Sequence, residues 1–196
     1  GFGATGPLRF QPAYDQIIQG MSGVMSITGD RHSAPLRVGY PLADTIGGMT
    51  AAFAVSSLLA GRRGGQSEAV FVDVSMLAAT LSTMGWVVSN YLIAGQEPVP
   101  MGNDNFTASP SGTFRTGDGL VNIAANKQEQ FVALCRVIGQ PELSEDPRFR
   151  ERQQRLEHRA ELRELIEQGL QRQGAATWVD ELTAAGVPAG PVLTVP

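Results

Sequence analysis

"GYPLADTIGGMTAAFAVSSLLAG", residues 39–61, decides how this chain is read. One acidic residue, Asp44, stands where a loop runs into a segment built almost entirely of small and apolar residues. From Thr45 to Leu59 the side chains are small on nearly every face, which suits a helix packed closely on several sides. Asp is a preferred N-cap, and Asp-Thr-Ile-Gly ahead of an apolar run has the form of a cap. The same carboxylate is also a candidate reactive group, and composition leaves both readings open.

Upstream, residues 1–12 form a Gly/Pro-rich loop, and "AYDQIIQGMSGVMSITG" (13–29) spaces Ile17, Ile18, Met21, Val24 and Met25 as a helix that Gly29 stops. Downstream, "GRRGGQS" makes a turn, and "EAVFVDVSML" (68–77) alternates apolar and β-branched residues as a strand. "SMLAATLSTMGWVVSNYLIAG" (75–95) reads as one long apolar helix. Ser82, Thr83, Ser89 and Asn90 interrupt it and no basic cluster flanks it, so a core or interface helix is expected, and no membrane span.

"EPVPMGNDNFTASPSGTF" (97–114) is the clearest boundary. Beyond it, "GLVNIAA" (119–125) reads as a strand and "KQEQFVALCRVIG" (127–139) as a helix. A charged segment from "DPRF" (146–149) to Arg172 is a solvated helix with an apolar stripe of Leu156, Leu162, Leu165, Ile166 and Leu170. "ATWVDELTAAG" (176–186) is a last short helix. The expected fold class is α/β, with a small-residue α/β domain over 1–104 and an α+β domain over 105–196.

Bulk properties narrow the function. The 196 residues carry a net charge of −4, and of the 15 basic residues only Lys127 is a lysine. No basic patch suggests nucleic acid. The single cysteine, Cys135, leaves no internal disulfide, fits a reducing cytoplasm and sits on the apolar side of a helix pattern. His32 and His158 stand apart from it, and no spacing suits a metal. Asp15, Asp73 and Asp104 build no paired-carboxylate or Ser/His/Asp arrangement by spacing. The Gly-rich "GATGP" and "GRRGGQ" lack the form of a phosphate loop. The chain starts without Met and ends on an apolar segment, and both ends look cut from a longer protein.

The order of five segments carries further. "GFGATGP", the helix of 13–29, "PLADTIGGMTAAFAVSSLLAGRRGGQSEAVFVDVSML", "GTFRTGDGLVNIAANKQEQFVALCRVIGQPELSEDPRF" and "GVPAGPV" together resemble the class III coenzyme A transferase family, of the CaiB/BaiF type, over essentially the whole chain. The resemblance implies a fragment of that fold: part of a large Rossmann-like domain plus a smaller α+β domain. It implies transfer of coenzyme A between an acyl-CoA donor and a carboxylic acid acceptor, with acyl-CoA as substrate and no permanently bound cofactor. The family's nucleophilic Asp falls on Asp44. Gln11, Pro12, Ala13 and Tyr14 fall where the chain lies against CoA, although Tyr14 also reads as an aromatic staple.

In the family's racemase branch a His stands where Tyr14 stands here. A phenol, with a reference pKa of about 10, is a poor partner for proton exchange near neutrality. A racemase, or an inactive acyl-CoA-binding relative, is therefore the alternative reading. A helix N-terminus at Asp44 is expected to keep its carboxylate ionised and to offer amides to an oxyanion, with Gly47 and Gly48 admitting substrate. "MGNDNFTASP" falls where some members place a mobile Gly-rich loop, so Gly102 and Asn103 are candidate substrate contacts or linker. "DPRF" is expected to start a helix, and "GVPAGPV" to be a strand returning toward the large domain. The resemblance further implies an interlocked cytoplasmic homodimer, and inactivity of these 196 residues alone.

Overall fold

A computed structural model describes residues 1–62 and 69–196. Two compact units divide at Gly102 and Asn103. Most of the turn expected over 61–67, and Glu68, fall outside the described residues.

The first unit is helical among its described residues: α1 (Asp15–Ser22), a 3-10 turn (Val24–Ile27), α2 (Leu42–Gly61), α3 (Met76–Thr83) and α4 (Gly85–Ala94). α1 ends earlier than its periodicity suggests, because Gly23 takes a left-handed φ of 85° and its N–H caps Gly20 O. Gly29 does not stop the helix. α2 starts at Leu42, three residues ahead of the expected Thr45, so Asp44 lies inside its first turn and is not the N-cap.

The strand expected over 68–77 is not formed. Residues 69–75 have no ladder partner among the described residues, and a strand needs one. Val70 and Phe71 stay exposed, while the Asp73 carboxylate accepts from Ala4 N at 2.7 Å. The long helix over 75–95 is also corrected. It is two helices that bend by 81° at Met84 and Gly85. Ser82 Oγ donates to Ala78 O and Thr83 Oγ1 to Thr80 O, side-chain bonds that loosen the helix ladder just ahead of the glycine.

α2 has the length and mean hydropathy (1.4) of a membrane crossing, yet of its residues only Ala43 and Gly47 are buried. Met49, Phe53 and Leu59 on α2, and Trp86, Leu92 and Ile93 on α4, are exposed.

The second unit is α+β. Strands β1 (Ser111–Arg115), β2 (Leu120–Ala124) and β3 (Ala189–Pro191) form an antiparallel sheet in that order. β1 lies in a stretch read from sequence as boundary loop, because Phe114 is its one large apolar residue. β3 pairs with β2 of its own unit, which is where "GVPAGPV" returns. α5 (Gln128–Val137) and a 3-10 turn at Pro141–Ser144 join the core that α7 (Arg159–Leu170) and α8 (Ala175–Ala184) build on the sheet, while α6 (Arg152–Glu157) lies against α7. "DPRF" is a turn ahead of α6, and the charged segment breaks into two helices at His158. Of the expected stripe, Leu162, Ile166 and Leu170 are fully buried, each contributing about 1.5–3 kcal/mol.

Arginines along α6 and α7 pin the stretch before β1. Arg152 donates to Thr107 O, Arg155 to Ser109 O, Arg159 to Asn105 O and Arg163 to Thr113 O. Arg163 also pairs with the Asp104 carboxylate. Residues 104–113 are therefore held by charge-assisted bonds, and the Asp104–Gly112 bridge closes the turn.

Candidate active site

The N-terminus of α2 is organised from α1. Pro41, the N-cap, has no N–H to leave unpaired and offers no side-chain bond. Asp15, the first residue of α1 and 8 % exposed, supplies the cap across sequence. Its Oδ1 accepts from Ala43 N at 2.8 Å and, at the long end, from Asp44 N at 3.5 Å. Its Oδ2 accepts from Gln19 Nε2 at 2.7 Å. Gln19, 0 % exposed, ties down the incoming loop: its Oε1 accepts from Val38 N at 2.9 Å and its Nε2 reaches Tyr40 O at 3.3 Å. One turn of α1 thus fixes residues 38–44. By spacing Asp15 joins no paired-carboxylate arrangement, and its capping role is not read from that pattern. The available signal was the i,i+4 spacing of Asp15 and Gln19, which puts both on one helix face.

The expected oxyanion donors are spoken for. Leu42 N donates to Tyr40 O, Ala43 N and Asp44 N to Asp15, and Thr45 N to Pro41 O. Asp44 itself is exposed, and its carboxylate carries no hydrogen bond to any described residue. A carboxylate whose helix is capped by another residue keeps its lone pairs free, as a nucleophile requires.

Asp44 lines a cleft of about 370 Å³ with Tyr14, Asp15, Gln16, Arg37 and Pro41. Tyr14 is 79 % exposed there, which places it at a surface and not as a packed staple. Gln11, Pro12 and Ala13 precede it and do not line this cleft. Gly47 is buried under α3: a Cβ there meets Met76 Cγ at 3.1 Å, so its missing side chain serves helix packing and not substrate approach. Gly48 has open space around it. Gly102 closes the first unit in a turn, with φ 60° and its N–H on Gly29 O at 2.7 Å. Asn103 opens the second unit, its carbonyl packed against Gly112 so closely that a Cβ there comes within 2.6 Å.

Cys135 is buried in the core of the second unit, and burial pushes its thiol up to about 12. A thiol-specific reagent at pH 8 is expected to label native protein about 10³-fold more slowly than unfolded protein. Because the folded thiol holds its proton more tightly than the unfolded one, stability is expected to fall as pH rises past about 9. Comparable labelling rates in native and unfolded protein would refute the buried assignment. Among the described residues no group of three or more His, Cys, Asp or Glu side chains is placed to hold a metal ion.

The model of CoA-transferase family III matches residues 1–196. The chain is 39% identical to the acetyl-CoA:oxalate CoA-transferase of Acetobacter aceti, over 100% of this chain and 50% of that protein. It is 31% identical to the succinyl-CoA:glutarate CoA-transferase of Mus musculus, over 98% of this chain and 44% of that protein. Among solved structures, that of a CaiB/BaiF family protein from Brucella suis superposes with a TM-score of 0.86 at 33% identity. It matches 100% of this chain, which covers 51% of that one. The chain spans about half the length of the curated relatives it matches.

Proposed function

Because this chain belongs to CoA-transferase family III, we propose that its protein transfers coenzyme A from an acyl-CoA to a carboxylic acid, with Asp44 as nucleophile. The observation that carries the reading is the division of labour at α2: Asp15 caps the helix, and Asp44 lines the cleft with its carboxylate unpartnered. An Asp44 oxygen attacks the thioester carbonyl, and CoA leaves as thiolate, giving a mixed anhydride. The thiolate attacks the aspartyl carbonyl and expels the donor carboxylate, leaving an aspartyl–CoA thioester. The acceptor carboxylate attacks that thioester and releases thiolate. The thiolate then takes the new acyl group and frees Asp44. No proton is gained or lost, and the thioester's energy stays on the enzyme and not in water.

The acid is a dicarboxylic acid in this reading. Oxalate and glutarate, in the names of the relatives, each carry a second carboxylate beside the reacting one. Tyr14, at the cleft, belongs to the CoA side with Gln11, Pro12 and Ala13. A cytoplasmic homodimer completes the proposal. The exposed apolar side chains of α2 and α4 support the second copy, and the lone cysteine supports the reducing compartment. The test is exchange of label from an acyl-CoA into a panel of dicarboxylic acids by the full-length protein. Exchange that requires Asp44 upholds the reading, and its absence across the panel overturns it.

Asp15 positions Asp44 in this scheme. Asp15→Ala frees the first turn of α2 and is expected to lower kcat about 100-fold, the cost of misplacing a reacting group by about 1 Å. Asp15→Asn keeps an oxygen for Ala43 N and is expected to recover most of that loss. Equal kcat in wild type and Asp15→Ala would remove Asp15 from the account.

A further inference from the structure

We propose that Arg37 is the anion-recognition residue on the acyl side of the cleft. Its guanidinium takes the second, non-reacting carboxylate of a dicarboxylic acid or of that acid's CoA thioester. This rests on the reading of Asp44 as nucleophile and adds a substrate-selecting residue to it.

Arg37 is the one basic side chain among the six that line the cleft. Its one ion pair among the described residues is loose: Nε lies 3.7 Å from Asp15 Oδ2, beyond hydrogen-bond distance, with 47 % of the side chain exposed. Asp15 does not depend on it, being supplied already by Ala43 N, Asp44 N and Gln19 Nε2. No hydrogen bond joins the Arg37 Nη atoms to any described residue, so the planar fork of paired N–H donors that suits a carboxylate is unspent.

The backbone under Arg37 is fixed on both sides. Leu36 N donates to Met25 O and Thr28 O, and Val38 N to Gln19 Oε1. An arginine with an anchored backbone and an uncommitted head is preorganised for a ligand. Charge points the same way. Asp15 and Asp44 make the cleft anionic, so an acid bearing a carboxylate beyond the reacting one needs a cation there.

CoA's phosphates are the other source of anions, and distance disfavours them. About 13 bonds separate the thioester sulfur from the nearest phosphorus, about 15 Å in an extended chain advancing about 1.2 Å per bond. Arg37 and Asp44 line one and the same cleft. An anion sharing the cleft with the attacked carbonyl therefore belongs to the acyl side.

The test compares glutarate with pentanoate, five-carbon acids that differ by one carboxylate, as acceptors for the full-length protein. Arg37→Gln is expected to lower the glutarate-to-pentanoate ratio of kcat/KM tenfold to a hundredfold, with Arg37→Lys between it and wild type. An unchanged ratio overturns the proposal. So does an Arg37→Gln defect that disappears when pantetheine thioesters replace CoA thioesters, since that assigns the anion to a CoA phosphate. Equilibrium binding of the two acids without any thioester separates this proposal from the one beneath it. Preference for glutarate in wild type, lost in Arg37→Gln, upholds the subsite even where transfer fails. Equal binding of both acids by wild type overturns it.

Discussion

Asp44→Ala is expected to lower CoA transfer by the full-length protein by roughly 10⁴-fold or more, the scale of losing a covalent nucleophile. The same change is expected to shift stability by less than about 1 kcal/mol, since Asp44 sits exposed in the first turn and only its charge near the helix N-terminus is lost. This pairing of effects discriminates. Were Asp44 the cap, alanine would cost α2 about 1 kcal/mol and leave the chemistry intact. That structural role belongs to Asp15, so the two functions come apart on two residues. Asp44→Glu sharpens the point: it keeps the carboxylate and displaces it by one methylene. A loss of about 100-fold is expected from the displacement alone. Steady-state rates and thermal unfolding of both variants check this. Wild-type rates in Asp44→Ala would end the nucleophile assignment.

Arg155→Ala carries the largest expected effect on stability, a loss of about 3–5 kcal/mol from the second unit. Arg155 is 2 % exposed and forms no ion pair with a carboxylate among the described residues. Its Nε donates to Ser109 O at 2.9 Å, and its Nη1 to Gln128 Oε1 and Phe149 O at 2.9 Å and to Arg150 O at 3.1 Å. The guanidinium lies 4.4 Å over the Phe131 ring. Burial pulls its pKa down from the usual arginine value, yet the acceptors around it are neutral dipoles that solvate a cation. Alanine strands those acceptors and opens a void beside Phe131, and each stranded acceptor costs about 1–3 kcal/mol. Lysine keeps the charge without the fork, so an intermediate loss of about 2 kcal/mol is expected. The buried Trp178 indole, which donates to Leu170 O at 2.7 Å, reports this unit's unfolding in urea through its assigned Nε1–H NMR signal. A urea midpoint unmoved in Arg155→Ala would show that the pinned loop does not depend on it.

What the sequence disclosed follows from the range of the interactions involved. The helix of residues 127–139 and the strand at 119–125 were legible because periodicity is a local signal and the core they face lies within the same unit. β1 was missed because its pairing with β2 defines it more than its own composition does. The alternation of 68–77 promised a strand, but an edge-to-edge neighbour is not a local property. The break at Gly85 hid inside an uninterrupted apolar run, since serine and threonine back-bonding is invisible to hydropathy. At the site, Asp44 was singled out by its position ahead of an apolar helix and by family order. Asp15, Gln19 and Arg37 were not. Their roles arise from contacts 19 to 29 residues apart in sequence, which only the folded α1–α2 pair brings together.

One measurement bears most directly on the central claim. The full-length protein is incubated with an acyl-CoA, quenched with hydroxylamine and digested with trypsin, and the peptide Val38 to Arg62 is weighed and sequenced by fragmentation. The account predicts a hydroxamate on Asp44, formed only when acyl-CoA is present. An unmodified Val38–Arg62 peptide from protein that is turning over, or a hydroxamate on any other residue, would contradict it.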